Sequence, residues 1–246
     1  MSVYEQIKAD LGYLNLHAAA SVFATLAEQA RTEQWSHIEF LARLVAEQAT
    51  ADRDRRLTAR LRYARFPYRR TIDDFDYEFQ PSVDRKLVDD LATLRFIAEN
   101  RPILFLGQPG CGKTHLATAL TYQACQMGIR ARFTTAADLI MELRKAKNEG
   151  HLDKALNTYK KFQLLTIDEL GYLPIDPEGA RLLFQIIANT YETSSLIITT
   201  NIPFSKWGTI FGDDNIAAAI IDRLIHHGHL LRHQGKSWRV THALMQ

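Results

Sequence analysis

The stretch Gly107-Gln108-Pro109-Gly110-Cys111-Gly112-Lys113-Thr114 decides the fold of this chain of 246 residues. It matches the pattern G-x-x-x-x-G-K-[ST] at every fixed position. An apolar run at 103–106 precedes it, and a helix-like segment from Thr114 to Gln126 follows it. Glycines permit a tight loop whose backbone N–H groups point at phosphate oxygens, and the helix adds the positive end of its dipole. A chance match in a glycine-rich turn would not explain these flanks. The stretch therefore predicts a phosphate-binding loop, in which Lys113 reaches the outer phosphates and Thr114 holds magnesium.

The rest of the chain after residue 84 alternates between short apolar segments and helical ones. Such alternation predicts an α/β fold with a parallel sheet covered on both faces, whose ligands bind beyond the carboxyl ends of the strands. The phosphate loop lies at such an end. The predicted strands are 103–106, 131–134, 164–167 and 196–200, with a small hairpin around Gln234-Gly235. The predicted helices are 84–100, 114–126, 136–148, 152–161, 177–192, 204–210 and 215–227.

The first third of the chain has a different character. Apolar residues recur at intervals of three and four, and the first proline is Pro67, so residues 1–65 are predicted to form a helical domain. Aromatic and turn-forming residues then indicate a linker at 66–83, before a second domain at 84–246. The uncharged segment 11–27 follows Glu5, Lys8 and Asp10, which is no basic leader, and it is interpreted as a buried helix. The apolar positions of the helical repeat are Leu11, Leu14, Ala18, Val22, Leu26, Ile38, Leu41, Leu44 and Val45.

The cysteine content bears on the compartment. The chain has two cysteines, Cys111 in the phosphate loop and Cys125 in the helix after it. Neither a disulfide framework nor a zinc site follows from two such residues, and a reducing cytoplasm fits best. No segment predicts a membrane span.

A pair of carboxylates, Asp168-Glu169, ends the apolar run Leu164-Leu165-Thr166-Ile167. The first can bind magnesium beside the phosphate loop, and the second can polarise a water for attack on a γ-phosphate. The alternative is that the two residues only cap the next segment. Since a phosphate loop shares the sheet, the sequence favours Asp168 as a metal and nucleotide ligand and Glu169 as the catalytic base.

Two further polar positions are candidates for the same chemistry. Asn201 ends the strand Leu196–Thr200 and could orient the attacking water, although asparagine also favours turns and caps. Arg223 lies in a helical run and could project from one subunit into the nucleotide of its neighbour. An ordinary exposed arginine is the alternative for Arg223, and the residues alone do not decide between the two.

These features together resemble the AAA+ ATPases, and more narrowly the IstB-type transposition helper ATPases and the related DnaC-type helicase loaders. Beyond the phosphate loop, the resemblance rests on Ile167-Asp168-Glu169-Leu170-Gly171-Tyr172, on Trp207 and on Phe211-Gly212-Asp213. The linker at 71–81 and the segment Asp222-Arg223-Leu224-Ile225-His226-His227 support the narrower assignment. The resemblance covers nearly the whole chain.

The resemblance implies an AAA+ core with a parallel five-stranded sheet, which binds ATP and Mg²⁺ and hydrolyses ATP. It implies Walker A at 107–114 with the following His115, Walker B at Asp168-Glu169, sensor 1 at Asn201 and an arginine finger at Arg223. It also implies oligomers that assemble with ATP on DNA and a partner transposase, with target-DNA selection as the task. The segment after His227 is too short for a full helical lid, and Arg239 is the nearest candidate for a second sensor.

An excess of arginine before the phosphate loop points to a polyanionic partner. Residues 41–70 contain nine arginines against three acidic residues, a net charge of +6 in a chain whose total is +2. Arginine forks match phosphate oxygens and stack on bases or sugars, and the aromatics Tyr63, Phe66 and Tyr68 are interleaved with them. The alternative is an exposed helix with internal ion pairs. The sequence-tolerant DNA contacts we predict are Arg53, Arg55, Arg56, Arg60, Arg62, Arg65, Arg69 and Arg70, with Lys145 and Lys147 on the second domain.

Three functions compete at this point. The preferred one is an ATP-dependent protein that assembles on duplex DNA and assists transposition. The second is a helicase loader, in which the N-terminal helices would grip a helicase. The third is a small-molecule kinase, which shares the phosphate loop but gives no reason for Asn201, Arg223 or the basic stretch.

Overall fold

The chain folds into two units. The computed structural model describes residues 2–191 and 193–241, and its contacts divide the chain into Met1–Ala59 and Arg60–Gln246. The division falls within one long helix, and residues 66–83 belong to the second unit. The domain boundaries after residues 65 and 83 stay predictions.

The first unit is helical. It contains α1 (Val3–Tyr13), α2 (His17–Thr32) and most of α3 (His37–Ala64). Phe23 and Leu44 are buried at its centre. The amide oxygen of Gln48 accepts hydrogen bonds from the backbone N–H groups of Ala18 and Ala19, at 3.0 and 3.2 Å. Gln48 thereby satisfies the first turn of α2, which no local side chain caps.

The prediction of one buried helix over residues 11–27 is wrong. Asn15 has a φ of 60° and lies between α1 and α2, because asparagine tolerates the left-handed conformation that breaks a helix. Part of the predicted apolar repeat is also exposed, since the three helices share one small interior. The exposed positions are Leu14, Ile38, Leu41 and Val45. No helix within residues 2–191 and 193–241 is long and apolar enough to cross a membrane.

The second unit is built on a five-stranded parallel sheet, as the sequence predicted. Its strands lie in the order β2-β3-β4-β1-β5. Strand β4 therefore separates the strand before the phosphate loop from the strand that ends in the carboxylates. The bounds are β1 (Ile103–Gly107), β2 (Ala131–Thr135), β3 (Leu164–Leu170), β4 (Ser195–Thr200) and β5 (His229–His233).

Helices cover both faces of the sheet. On β1, Ile103 and Phe105 enter one buried cluster and Leu104 enters the other, since alternate side chains of a strand point to opposite faces. The first face packs against α4 (Arg85–Ala92), α5 (Arg95–Ala98) and α6 (Lys113–Gln126). The second packs against α7 (Ala136–Asn148), α8 (Leu152–Tyr159), α9 (Pro177–Thr190), α10 (Trp207–Phe211) and α11 (Asp214–Ile225). A short 3-10 helix, Phe204–Lys206, precedes α10.

Two predicted elements differ from the structure. The helix predicted over 84–100 is broken at Leu94, whose φ is 61°. Leu94 and Phe96 are both buried, yet a continuous helix would set them about 200° apart, so the break brings both into one core. The predicted hairpin around Gln234-Gly235 is wrong: 229–233 forms the parallel edge strand β5, and Trp238–Thr241 forms a short helix, α12. The helix predicted over 177–192 reaches Glu192, which lies outside the described residues.

Candidate nucleotide-binding site

The sheet topology brings the predicted site residues to one edge. Leu106 of β1 pairs with Thr200 of β4, and Ile167 of β3 pairs with Ile198 of β4. The phosphate loop, the pair Asp168-Glu169 and Asn201 therefore all follow the carboxyl ends of three adjacent strands. Such an edge is where ligands bind in parallel sheets.

The phosphate loop leads into α6 through Gly112, which has a φ of 82°. A Cβ at this position would meet the Phe75 ring at 2.4 Å, so both the backbone and the packing require glycine. The ammonium of Lys113 donates to the backbone oxygens of Gly107 and Gln108, at 2.7 and 2.8 Å. Burial lowers the pKa of Lys113. These contacts hold the ammonium within the curve of the loop, where it can exchange carbonyl oxygens for phosphate oxygens.

Other residues of the loop differ in exposure. Gln108 and Pro109 are exposed at its tip, whereas Cys111 is fully buried. The thiol of Cys111 lies 3.5 Å from the backbone oxygen of Gly235, in the segment after β5. The imidazole Nε2 of His115 lies 2.9 Å from the Thr71 backbone oxygen. His115, which was predicted to contact the nucleotide, is therefore hydrogen-bonded to the linker.

Asp168 is the buried carboxylate of the site. The hydroxyl of Thr114 donates to its Oδ1 at 3.0 Å, and the hydroxyl of Thr199 donates to the same oxygen. Burial raises the pKa of Asp168, and the two hydroxyl donors oppose that rise. The structure thus brings together Thr114 and Asp168, the two predicted magnesium ligands. Oxygen donors of this kind are what Mg²⁺ prefers.

Glu169 is exposed although both neighbours are buried. The pairing of β3 with β4 is irregular between Ile167 and Leu170, and Glu169 has a φ of 59°. Its backbone N–H donates to the Thr199 hydroxyl at 3.0 Å instead of joining the regular ladder. This bulge turns the carboxylate to the sheet edge. Bulges and left-handed non-glycine residues recur near active sites, where they redirect a side chain.

The predicted arginine finger, Arg223, lies near the amino ends of the strands, opposite the end that carries the phosphate loop. It is in the last turn of α11, six residues before His229, the first residue of β5, and His229 pairs with Ile103. Its guanidinium donates to the Ala219 oxygen at 2.8 Å and lies 5.3 Å from the Phe184 ring centre. The length of β1 therefore separates it from the phosphate loop of its own chain, about 15 Å.

The candidate second sensor, Arg239, lies on α12 beside the phosphate loop. A cavity of about 380 Å³ separates the loop from residues of the linker and of α12. Arg239, Lys113 and Thr114 line it together with Tyr68 and Arg70. The linker runs along α6 to form this wall: Phe66 contacts Tyr122, Thr71 contacts His115 and Phe75 contacts Gly112.

The predicted DNA contacts are dispersed. Arg53, Arg56 and Arg62 are exposed, and Arg55 pairs with Asp52 at 3.0 Å. The Arg60 Nε donates to the Cys125 oxygen at 2.9 Å, and Arg69 stacks on Tyr122. Lys145 lies 3.9 Å from Glu149, and Lys147 pairs with Glu178. Arg65 and Lys145, distant in the sequence, line one cavity of about 540 Å³, whereas Arg70 lines the nucleotide cavity instead.

Sequence reasoning missed three residues of this site. Thr199 contacts the Asp168 carboxylate and the Glu169 backbone N–H, and a threonine near the end of an apolar strand gave no sign of this role. His233 is buried at the end of β5, and its Nδ1–H donates to the Cys111 oxygen at 2.7 Å. Tyr68 lines the cavity from the linker. The position of His233 at the end of the segment Leu230-Leu231-Arg232 was the one sequence signal that could have identified it.

This fold is the P-loop nucleotide-binding core of the AAA+ class. The DnaC helicase loader crystal structure superposes with a TM-score of 0.51 at 28% identity, over 61% of this chain and 92% of that one. AMPPCP-bound DnaA from Aquifex aeolicus superposes with a TM-score of 0.59, over 71% of this chain and 53% of that one. At 20% identity, the second comparison shows the fold alone.

The family model described as IstB-like ATP binding protein matches residues 9–245, and the chain belongs to this family. A Geobacillus stearothermophilus protein named for insertion sequence IS5376 and for ATP binding is 42% identical over 95% of this chain and 93% of its own length. A Pseudomonas aeruginosa protein named for insertion sequence IS21 and for ATP binding is 40% identical over 88% and 82%. The resemblance predicted from the sequence is confirmed.

Substitution of Gly112 tests the packing of the phosphate loop. We expect Gly112→Ala to weaken binding of a fluorescent ATP analogue at least tenfold, because the new Cβ displaces Phe75 or the loop. Gly128→Ala is the control: its φ of 89° imposes a similar strain, about 1 kcal/mol, but nothing lies within 4 Å of the new carbon. Equal affinities of the two variants would contradict a packing role for Gly112.

The buried His233 predicts a pH dependence of stability. Burial lowers its pKa to about 4, so the folded protein keeps it neutral while the unfolded chain takes up a proton near pH 6.5. The free energy of unfolding should therefore fall as the pH drops from about 6.5 to about 4, by up to about 1.4 kcal/mol per pH unit from this group. Urea titrations at several pH values give the free energy of unfolding as a function of pH. This pH dependence should be shallower for His233→Asn than for wild type, whereas replacement of the exposed His151 by Asn should leave it unchanged. Parallel slopes for wild type and His233→Asn would contradict the assignment.

Proposed function

We propose that this protein is an ATPase that hydrolyses ATP to ADP and phosphate, coupled to assembly on DNA. The observation that carries the proposal is the arrangement around Thr199. Its hydroxyl donates to the buried Asp168 carboxylate and accepts from the backbone N–H of Glu169, so one residue holds the carboxylate of Asp168 and the backbone of Glu169. This division gives the two carboxylates separate tasks, one in holding a metal and one in proton transfer.

The described residues fit ATP and Mg²⁺. Backbone N–H groups of the loop 107–114 and the start of α6 would bind the phosphates, with Lys113 as their cationic partner. Thr114 and Asp168 would hold Mg²⁺, directly or through water, and Mg²⁺ offsets the negative charge of the phosphates when it is bound. Asn201 would hold the attacking water, and Glu169 would accept its proton.

We propose that Arg223 completes the site of a neighbouring protomer. It lies near the amino ends of the strands, whereas its own phosphate loop lies at their carboxyl ends, so a nucleotide that it contacts would belong to a second chain. Stacking near Phe184 and Tyr191 supports the guanidinium at the surface of α9 and α11. A guanidinium in this place would offset charge that develops on the transferring phosphoryl group.

DNA is the proposed partner. Arg65 and Lys145 approach one cavity together with the buried Arg132, so two basic segments converge on one surface of the second unit. Glu142 lies 4.0 Å from Arg65 and 3.4 Å from Arg132. Lys145 is the most exposed of the three cations. Contacts of this kind are to phosphate and are salt-dependent. ATP-bound protomers on duplex DNA would mark a target and stimulate a transposase, in keeping with the insertion sequences for which the relatives are named.

A helicase loader is the second candidate, because a solved DnaC loader structure is 28% identical to this chain. The two functions differ in the nucleic acid and protein that they need. A loader would act with a replicative helicase on single strands, whereas the preferred function needs duplex DNA and the transposase of the same element.

Replacement of the proposed base should trap the assembly. We expect Glu169→Gln to bind ATP but to lower turnover at least about a hundredfold, because the amide cannot accept a proton. Electron microscopy with duplex DNA and ATP should then show persistent oligomers on the DNA. Unchanged phosphate release would remove Glu169 from its role, and assembly on single strands alone would favour the loader.

Mixed protomers test the shared site. Lys113→Ala and Arg223→Ala proteins should each be inactive, and their mixture should recover part of the ATPase activity, since some junctions then hold an intact loop and an intact arginine. Arg181→Ala, which removes an exposed arginine from α9, is the control and should stay active alone. If no mixing ratio restores activity although sedimentation shows mixed oligomers, Arg223 does not act on a neighbour.

A further inference from the structure

One of the arginines predicted to contact DNA lies in the nucleotide cavity instead. Arg70 belongs to the linker and lines the cavity of about 380 Å³ together with Lys113, Thr114 and His115. Its neighbour Arg69 has a different environment: the Arg69 guanidinium lies 4.7 Å from the centre of the Tyr122 ring, on α6. Adjacent arginines thus face different surroundings, and only the second is among the residues that line the cavity.

The guanidinium of Arg70 lies beside a tyrosine ring, and its charge adds to the Thr71 hydrogen bonds in lowering the pKa of the Asp74 carboxyl. This guanidinium lies 5.4 Å from the centre of the Tyr68 ring, and within residues 2–191 and 193–241 no carboxylate approaches it within 4.0 Å. The two acidic residues of the same wall accept hydrogen bonds from backbone N–H groups. Asp74 accepts from the Thr71 N–H at 2.9 Å, and Asp76 accepts from the Phe79 N–H at 2.9 Å. Arg70 therefore keeps all its donors for a ligand.

The cavity combines three cations with a phosphate loop. Lys113 and Thr114 lie at its floor, Arg70 on the linker wall and Arg239 on the α12 wall. Tyr68 also lines the cavity from the linker. Burial, with a smaller contribution from the charge of Asp168, raises the pKa of the Tyr68 phenol. A planar guanidinium beside such a loop matches phosphate oxygens in a way that a surface lysine does not.

We infer that Arg70 binds the phosphate chain of the nucleotide held by the phosphate loop of the same chain, and that it is not a DNA contact. The inference rests on the proposed nucleotide site and adds a ligand from outside the sheet. Since the linker joins α3 to α4, Arg70 would also let the nucleotide order this segment. Tyr68 is the positioning residue that supports the guanidinium.

The test measures nucleotide and DNA binding separately in the full-length protein. Arg70→Ala should weaken binding of fluorescent ATP and ADP analogues about tenfold, the loss expected for one charge-assisted hydrogen bond, and Arg70→Lys should recover part of it. Arg85→Ala is the matched control, because the Arg85 guanidinium also lies 5.4 Å from a tyrosine ring, that of Tyr77, but does not line the cavity. Duplex DNA binding by Arg70→Ala, measured without nucleotide, should equal that of wild type.

The outcomes separate this inference from the proposed function. If wild type binds nucleotide and Lys113→Ala does not, the phosphate-loop site stands. Arg70→Ala with wild-type nucleotide affinity then overturns the inference alone, as does a loss of DNA affinity with nucleotide affinity unchanged. If wild type binds no nucleotide, both fall. Thermal unfolding of each variant checks that the fold is kept, and Arg70→Lys replaces Arg70→Ala if the latter unfolds.

Discussion

The buried carboxylate of Asp168 is the interaction on which the site depends. A carboxylate taken from water is costly unless hydrogen bonds replace its hydration. Thr114 from α6 and Thr199 from β4 supply those bonds, so the charge can be held only while β1, β4 and β3 keep their order. The same requirement ties the phosphate loop to the sheet. A metal at this point would replace the threonine contacts with stronger ones.

The sequence predicted the elements that carry local signals. The phosphate loop, the alternation of strands and helices and the parallel sheet were all predictable, because glycine spacing and apolar runs reflect backbone and burial requirements directly. The break at Leu94, the strand at 229–233 and the bulge at Glu169 were not. Each depends on a partner distant in the chain: a shared core, an edge of β1 and the Thr199 hydroxyl. Local pattern contains no information about such partners.

Charge was the least reliable guide to function. The arginines between 53 and 70 form one basic run in the sequence, yet in the structure they have several surroundings. Arg60 binds a backbone oxygen on α6, Arg69 stacks on a tyrosine, Arg65 approaches Glu142 and Arg70 enters the nucleotide cavity. A run of like charge predicts an anionic ligand but not which anion, because phosphate on DNA and phosphate on a nucleotide attract a guanidinium by the same chemistry.

The separation of Arg223 from its own phosphate loop bears on how protomers would share a nucleotide site. The loop follows the carboxyl end of β1, and Arg223 precedes the amino end of β5, so a parallel sheet places them at opposite edges whatever their side chains do. In the shared site that we propose, a protomer therefore obtains its arginine from another copy. Bound nucleotide then favours association over the separate chains by its own binding energy. If DNA aligns the copies through their basic surfaces, ATP and DNA each strengthen the binding of the other, since both bind the same assembled state.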